Sequence, residues 1–169
     1  MKKNFILASL VTILGIFSSF NVLSYDGTIR FQGTIDNSGC TISTKNVDVN
    51  FGKLSKSTFG NTKNTVGVSK NFSISLTNCP RTETIGISFD GTPDTHNVNL
   101  YDSGITGVGI QILKANGETE IKPREHATGF SVTANKGIDM QFIAKLISTN
   151  TSVSVGTIDK SIGFTIIYP

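Results

Sequence analysis

The sequence is poor in the residues that build antibody-type cores and clustered metal sites. Its 169 residues include no tryptophan, two histidines and four prolines. The antibody-type core depends on a buried tryptophan, so that core is excluded. His96 and His126 stand 30 positions apart among turn-forming residues, and we expect both to be solvated loop side chains. Two histidines cannot supply the clustered ligands of a copper or zinc site, which argues against a β-sandwich enzyme of the copper–zinc dismutase type.

Catalytic and cofactor-binding motifs are also missing. No Gly-rich segment ends in the Gly-Lys-Ser or Gly-Lys-Thr of a phosphate loop, and no serine lies in a nucleophile-elbow pattern. Asp90, Asp94 and Asp102 are close in sequence but lack the regular spacing of a calcium loop. We therefore expect no enzyme activity, no metal and no cofactor.

Long apolar runs are missing except at the N-terminus. Lys2 and Lys3 precede a mostly apolar stretch from Phe5 to Phe20, and Ser24 supplies a small residue before a cleavage site. This pattern predicts an export signal over residues 1–24. The alternative is a membrane anchor, but a stretch broken by serines falls short of the roughly 20 residues needed to span a bilayer.

The remaining 145 residues suit one domain and carry little net charge. The chain's 15 basic residues fall to 13 without Lys2 and Lys3, against 12 acidic residues. Such a balance gives no attraction to nucleic acid or to an anionic membrane surface.

Only two cysteines are present, and both follow the predicted signal. In an exported chain, Cys40 and Cys79 are expected to form one disulfide that closes a 39-residue separation. Loop-closure entropy gives such a link about 4 kcal/mol. The alternative is a pair of free buried thiols.

What the chain has in quantity is short stretches of alternating apolar and polar residues. They indicate the half-buried strands of an antiparallel sandwich, so the predicted fold is all-β with two immunoglobulin-like sheets. Tight turns are expected at Asp90-Gly91 and Asn116-Gly117, and a loop or single helical turn over residues 55–70. The apolar positions of the predicted strands are Val47, Val49, Phe51; Phe72, Ile74, Leu76; Ile85, Ile87, Phe89; Val98, Leu100; Val108, Ile110, Ile112; Phe142, Ala144, Leu146; Val153, Val155; and Ile162, Phe164, Ile166, Tyr168.

One predicted strand precedes the compact part of the chain. Over residues 28–35 polar positions alternate with Ile29, Phe31, Gly33 and Ile35, and a turn-like cluster then leads to Cys40. A strand outside a domain with large apolar residues on one face is costly in water, so it needs a groove. We therefore divide the mature chain into an extension, 25–36, and a domain, 37–169.

The last strand is the predicted partner of such an extension. Ile162, Phe164, Ile166 and Tyr168 share one face, and the chain terminates directly after them. A strand that reaches the terminus cannot return through a hairpin on that side. It is therefore expected to be a sheet edge, and long edges invite pairing.

These features together resemble the chaperone–usher pilins of the type 1 fimbrial subunit family. The resemblance covers the mature chain: Gly-Thr-Ile-Arg-Phe-Gln-Gly-Thr-Ile at 27–35, Asn37 and Cys40, Asn78-Cys79, the strand 108–113 before Asn116-Gly117, and the C-terminal spacing of Gly156 and Tyr168. Gly156 is fourteenth from the end and Tyr168 is penultimate.

The resemblance implies a fold and a mechanism. The immunoglobulin-like fold of this family lacks its final strand and leaves a groove beside the C-terminal strand, which here would involve Gly156, Ile162, Phe164, Ile166 and Tyr168. A periplasmic chaperone fills the groove first. At an outer-membrane usher, the next subunit's extension replaces it, here through the face of Ile29, Phe31, Gly33 and Ile35, with Gly33 over a shallow pocket.

The predicted function is thus a structural subunit of a surface fimbria that supports cell adhesion. The predicted partners are neighbouring subunits, the chaperone and the usher, without nucleic acid and without a membrane span. The alternative is a minor or tip adhesin that binds host glycans. Adhesins of this family usually carry a further lectin domain and no such extension.

Overall fold

A computed structural model describes residues 29–33 and 39–169, which belong to two separate units of the chain. The predicted export signal and Ile35 lie outside the described residues. Residues 29–33 have no regular secondary structure, and the side chains of Ile29 and Phe31 are 83% and 90% exposed. The strand predicted over residues 28–35 is therefore not formed in residues 29–33.

The second unit is built almost wholly from strands, as the alternating sequence predicts. The single helical element among its described residues is a 3-10 turn at Lys56–Phe59, within the stretch predicted as a loop or helical turn. The strands among the described residues are β1 (Thr41–Ile42), β2 (Val66–Thr77), β3 (Glu83–Asp90), β4 (Tyr101–Asp102), β5 (Val108–Lys114), β6 (His126–Val132), β7 (Ile138–Ser148) and β8 (Gly163–Ile167).

Two antiparallel sheets result. The larger has the order β1-β2-β7-β5-β4, and the smaller has the order β6-β3-β8. Long registers join β2 to β7, with Phe72 opposite Phe142, and β3 to β8, with Phe89 opposite Phe164. Since β8 is the last member of the smaller sheet, one of its edges pairs with β3 and the other pairs with no described residue.

The core lies between the sheets and is formed by the inward positions of each strand. A cluster of four rings marks its centre, with centroids 5.3–6.2 Å apart: Phe72, Phe89, Phe130 and Phe142. Ile74, Ile87 and Leu146 around them are at most 1% exposed. Period-two burial along β2, β3 and β7 is the physical result of the alternation in the sequence.

The disulfide between Cys40 and Cys79 is present. It joins the residue before β1 to the second residue after β2, with Cα atoms 4.1 Å apart. Cys79 is fully buried and Cys40 nearly so. The link therefore closes a loop that contains the 3-10 turn and the whole of β2.

Five local predictions were wrong, the last of them the tight turn at Asp90-Gly91. No strand forms at residues 47–51, 98–100 or 153–155, and β6 was not predicted, so His126 lies on a strand and not in a loop. Gly91 does not adopt positive φ, since an added Cβ there would lie 2.6 Å from the Tyr101 ring and close packing explains the glycine. At Asn116-Gly117 the predicted tight turn is confirmed, because Gly117 has φ 72° and its N–H donates to Lys114.

Candidate functional site

A long groove runs beside the free edge of β8. It has a volume of about 1590 Å³ and lies within the second unit of the chain. Its sides are two stretches without strand pairing, residues 45–54 and residues 153–162. An apolar groove of this length in a small domain marks a binding site, because exposed apolar surface is costly in water.

Core residues from both sheets form the floor of the groove. They come from β2, β3, β5 and β7, and their side chains would otherwise be covered by a further strand. These floor residues are Phe72, Ile74, Phe89, Val108, Ile110, Ile112, Ala144 and Leu146. The floor is therefore a continuous apolar surface, while charged side chains such as Lys45, Lys53 and Asp159 stand along the sides.

The first side of the groove, residues 45–54, is extended but unpaired. Val47, Val49 and Phe51 are half-buried towards the groove, while Asp48 and Asn50 are exposed. The backbone of this stretch makes no backbone hydrogen bond to any described residue. The alternation that predicted a strand is thus real, and the strand is absent because no neighbouring backbone pairs with it.

The 3-10 turn fixes the end of this side. Ser55 caps the turn, and the buried Phe59 that closes it packs on β2. At Gly67 an added Cβ would lie 2.5 Å from the Phe59 ring, so only glycine allows this contact. The turn therefore fastens one end of residues 45–54, and β1 fastens the other end.

The second side contains several of the residues predicted from the sequence. Ile162 and Phe164 line the groove, and so does Gly156, where an added Cβ would lie 2.6 Å from Ile105. Val155 beside it is 85% exposed. Gly156 thus lets the chain pass close to Ile105, which the sequence had not marked as a groove residue.

The other two predicted residues lie outside the groove lining. Ile166 is half-buried opposite Ile87, and Tyr168 packs against Gly39. The Tyr168 hydroxyl oxygen accepts a hydrogen bond from the Cys40 N–H at 2.8 Å. The penultimate tyrosine therefore joins the chain terminus to the start of the domain, next to the disulfide.

An ion pair ties the second side to the larger sheet. The Lys160 ammonium lies 2.8 Å from the Asp102 carboxylate on β4. This hydrogen bond, helped by the N–H of Gly104, lowers the pKa of the Asp102 carboxyl. The pair is partly exposed, so its role is to position residues 153–162 more than to stabilise the domain.

The acidic residues considered for calcium have protein partners. Asp94 is buried and its carboxylate accepts the N–H groups of His96 and Asn97, each at 2.9 Å. Asp90 accepts a hydrogen bond from Thr165, and Asp102 binds Lys160. Among residues 29–33 and 39–169 no three metal-ligating side chains come together.

The half-buried Tyr168 and the buried Tyr101 give a matched test of the terminal contact. We expect Tyr168→Phe to lower the free energy of unfolding by about 1–2 kcal/mol, because the Cys40 N–H loses its acceptor. Tyr101→Phe is the control, since the buried Tyr101 hydroxyl has no partner among the described residues and its loss should cost nothing. Urea unfolding followed by circular dichroism measures both, and equal losses in the two variants would contradict the assignment.

Comparison with known proteins identifies the class. A family model described as "Fimbrial protein" matches residues 29–168, which is most of the chain. The long polar fimbria protein A of Salmonella typhimurium is 30% identical over 181 aligned positions, covering 99% of this chain and 97% of that protein. The chain belongs to the fimbrial protein family, whose members are structural subunits of surface fimbriae.

Solved structures agree on the fold. The P pilus rod subunit PapA is 21% identical, with a TM-score of 0.64 over 77% of this chain and 99% of that one. The CupB6 tip adhesin of Pseudomonas aeruginosa is 18% identical with a TM-score of 0.58, covering 78% of this chain but 38% of the adhesin. The shared architecture is the pilin sandwich that lacks its final strand, and the resemblance inferred from the sequence is confirmed.

In the part of the chain that the structure describes, no helix has the length and apolar character needed to cross a bilayer.

Proposed function

We propose that this chain polymerises by donor-strand exchange, with residues 29–35 of one copy occupying the groove beside β8 of the next. The observation that carries the proposal is a free β8 edge bordering an open apolar groove, in a chain whose Ile29 and Phe31 are exposed. Each of these features is costly alone, and one contact removes both costs.

The dimensions of donor and groove are compatible. Seven residues in β conformation span roughly 23 Å, and β8 offers five residues of free edge with residues 45–54 on the opposite side. A strand placed between them can form main-chain hydrogen bonds on both of its edges. Residues 45–54 would then gain the pairing that they lack, and both backbones would be satisfied.

Side-chain burial supplies most of the binding energy. The apolar face of the extension carries Ile29, Phe31 and Ile35, and each is worth roughly 1.5–3 kcal/mol when buried. Gly33 lies on the same face, where we propose that it crosses the shallowest part of the groove. The contact joins two different surfaces and does not close on itself, so it propagates as a fibre.

Export and assembly complete the proposal. Removal of residues 1–24 frees an extension of residues 25–36 ahead of the domain that begins at residue 37. A periplasmic chaperone covers the groove until an outer-membrane usher brings the next extension. The chain acts as a structural part of a fimbrium that supports adhesion and not as an enzyme.

Electron microscopy of cells tests the function. Deleting the gene should abolish the fibres if the chain forms the shaft, or should change fibre length or remove the tip if the chain is a minor subunit. Restoring the gene should restore the fibres. Unchanged fibres in the deletion strain would refute a structural role, and saturable glycan binding by the purified chain would favour the adhesin alternative.

A further inference from the structure

The smaller sheet has a second long edge that an extended peptide could use. Among the described residues each sheet ends in two edge strands: β1 and β4 in the larger sheet, β6 and β8 in the smaller. β1 and β4 have two residues each, too few to template another strand, and they leave parts of the neighbouring β2 and β5 edges uncovered. β6, with seven residues, is longer than the five-residue β8.

A β-bulge interrupts β6 near its centre. Ile85 pairs with Phe130 and Ile87 pairs with Ala127, so Thr128 and Gly129 both stand opposite Gly86. Gly129 has φ 92°, a conformation that favours glycine. A bulge of this kind twists and breaks the row of main-chain groups that an incoming strand would need.

A lysine from the other sheet occupies the bulge. The Lys114 ammonium, at the end of β5, donates a hydrogen bond to the Thr128 carbonyl. It also lies 4.9 Å from the centre of the Phe130 ring. The lysine therefore satisfies a carbonyl of the edge strand and places a charge over the apolar ring beside it.

β8 differs in its register and in its side chains. It pairs with β3 over Gly163–Ile167 without interruption, and Phe164 on its inward face lines the open groove. β6 instead has an interrupted register, and the Lys114 ammonium is hydrogen-bonded at its bulge. Charges and bulges are the devices by which sheet proteins prevent pairing at an edge.

We propose that the Gly129 bulge and Lys114 block strand addition at β6 and thereby direct the donor extension to β8. This inference rests on the proposed function, since it concerns the same extension. A chain that assembles by strand addition and exposes Ile29 and Phe31 has to exclude the wrong edge. Gly129 and Lys114 are thus specificity-determining residues for assembly.

Cysteine cross-linking between copies of the full mature chain tests the inference. One pool carries Arg30→Cys, on the outward face of the extension, and the other carries Thr165→Cys on β8 or Ser131→Cys on β6. Each target residue is exposed. The pools are mixed, and mass spectrometry of the cross-linked peptides gives the yield at each edge.

Two changes then remove the features that we propose block strand pairing at β6. Lys114→Met removes the charge and keeps an apolar stem over Phe130, and deleting Gly129 in addition restores one-to-one pairing with β3. Lys145→Met on β7 is the matched control, since Lys145 is a half-buried lysine of the same sheet. Circular dichroism establishes folding, and Lys114→Met alone carries the test if the deletion does not fold.

We expect the link to Thr165 in every folded background. The link to Ser131 should be weak in the parent and in Lys145→Met, and should rise about tenfold when Lys114 is replaced, as the loss of a charged hydrogen bond predicts. An unchanged Ser131 yield in a folded Lys114→Met variant would overturn the inference. Absence of the Thr165 link in the parent would instead refute the proposed function.

Discussion

Phe31→Asp should abolish self-assembly of the purified mature chain while leaving its domain folded. Phe31 is 90% exposed in the extension, so the substitution removes no packing from the core. In the proposed contact, the aspartate would enter an apolar groove. The lost burial together with the desolvated carboxylate costs about 4 kcal/mol or more, which corresponds to roughly a thousandfold weaker contact.

The variant keeps its groove, which gives the experiment a second readout. It can accept an extension but cannot donate one, so each fibre grown with parent chain should hold at most one variant copy, at the end whose extension is not inserted into a neighbour. Gln32→Asp is the control, because it adds the same charge on the opposite face. Light scattering and electron microscopy measure assembly, and Phe31→Asp fibres of normal length would contradict donation through this face.

Replacing both cysteines by alanine should strongly lower the free energy of unfolding of the domain. Closing a 39-residue loop is worth about 4 kcal/mol, since the link restricts the unfolded chain. For a domain of this size the thermal midpoint should fall by on the order of 10 °C. Urea unfolding of Cys40→Ala/Cys79→Ala against the oxidised parent measures the difference.

Reduction of the parent chain separates the link from the packing of its sulfur atoms. A reductant breaks the Cys40–Cys79 bond but keeps both side chains, so the reduced parent should lose most of the same free energy. The loop contains residues 45–54, and the variant should therefore also hold this side of the groove less firmly. Equal stability of all three forms would show that the disulfide does not support the domain.

The proposed donor-strand contact explains why one edge of β8 pairs with no described residue. An isolated sandwich would gain stability by covering half-buried groove residues such as Phe72, Ile162 and Phe164 with a strand of its own. Instead those residues line a groove beside β8, and the segment suited to cover them precedes the domain. In the proposed assembly folding and polymerisation are coupled, because each subunit would complete its core with a segment of its neighbour.

Local alternation predicted the strands that bury one face and pair regularly. β2, β3 and β7 are such strands, and Phe164 of β8, with Ile162 just before the strand, was predicted as part of an acceptor edge. In these strands the residues that are apolar at every second position of the sequence are also the ones that are buried. These elements position the floor and one side of the groove.

The misses have two physical causes. β6 was not predicted because Gly129 adds a residue to its bulge, so the inward residues Ala127 and Phe130 are three positions apart and the period is broken. Residues 47–51 were predicted as a strand because Val47, Val49 and Phe51 alternate with polar neighbours, but a strand also needs a paired backbone. Residues 45–54 form a side of the groove because of tertiary packing. The alternation of neighbouring residues in the sequence carries no information about that packing.

Gly156 illustrates the remaining limit of the sequence. Its spacing from the C-terminus supported the family resemblance, but the contact that requires glycine, with Ile105, joins residues about fifty positions apart. Tyr168 is similar, since its bond to the Cys40 N–H joins the two ends of the domain. Both roles became visible only when the sheets brought distant residues together.

An electron cryo-microscopy map of the assembled fibre, at a resolution that traces the chain, addresses the central claim most directly. We predict that residues 29–35 of each subunit form a strand hydrogen-bonded to Gly163–Ile167 of the next, with Ile29 and Phe31 directed to the groove floor. A fibre in which these grooves are empty, or are filled by any segment other than a neighbour's residues 29–35, would contradict the account.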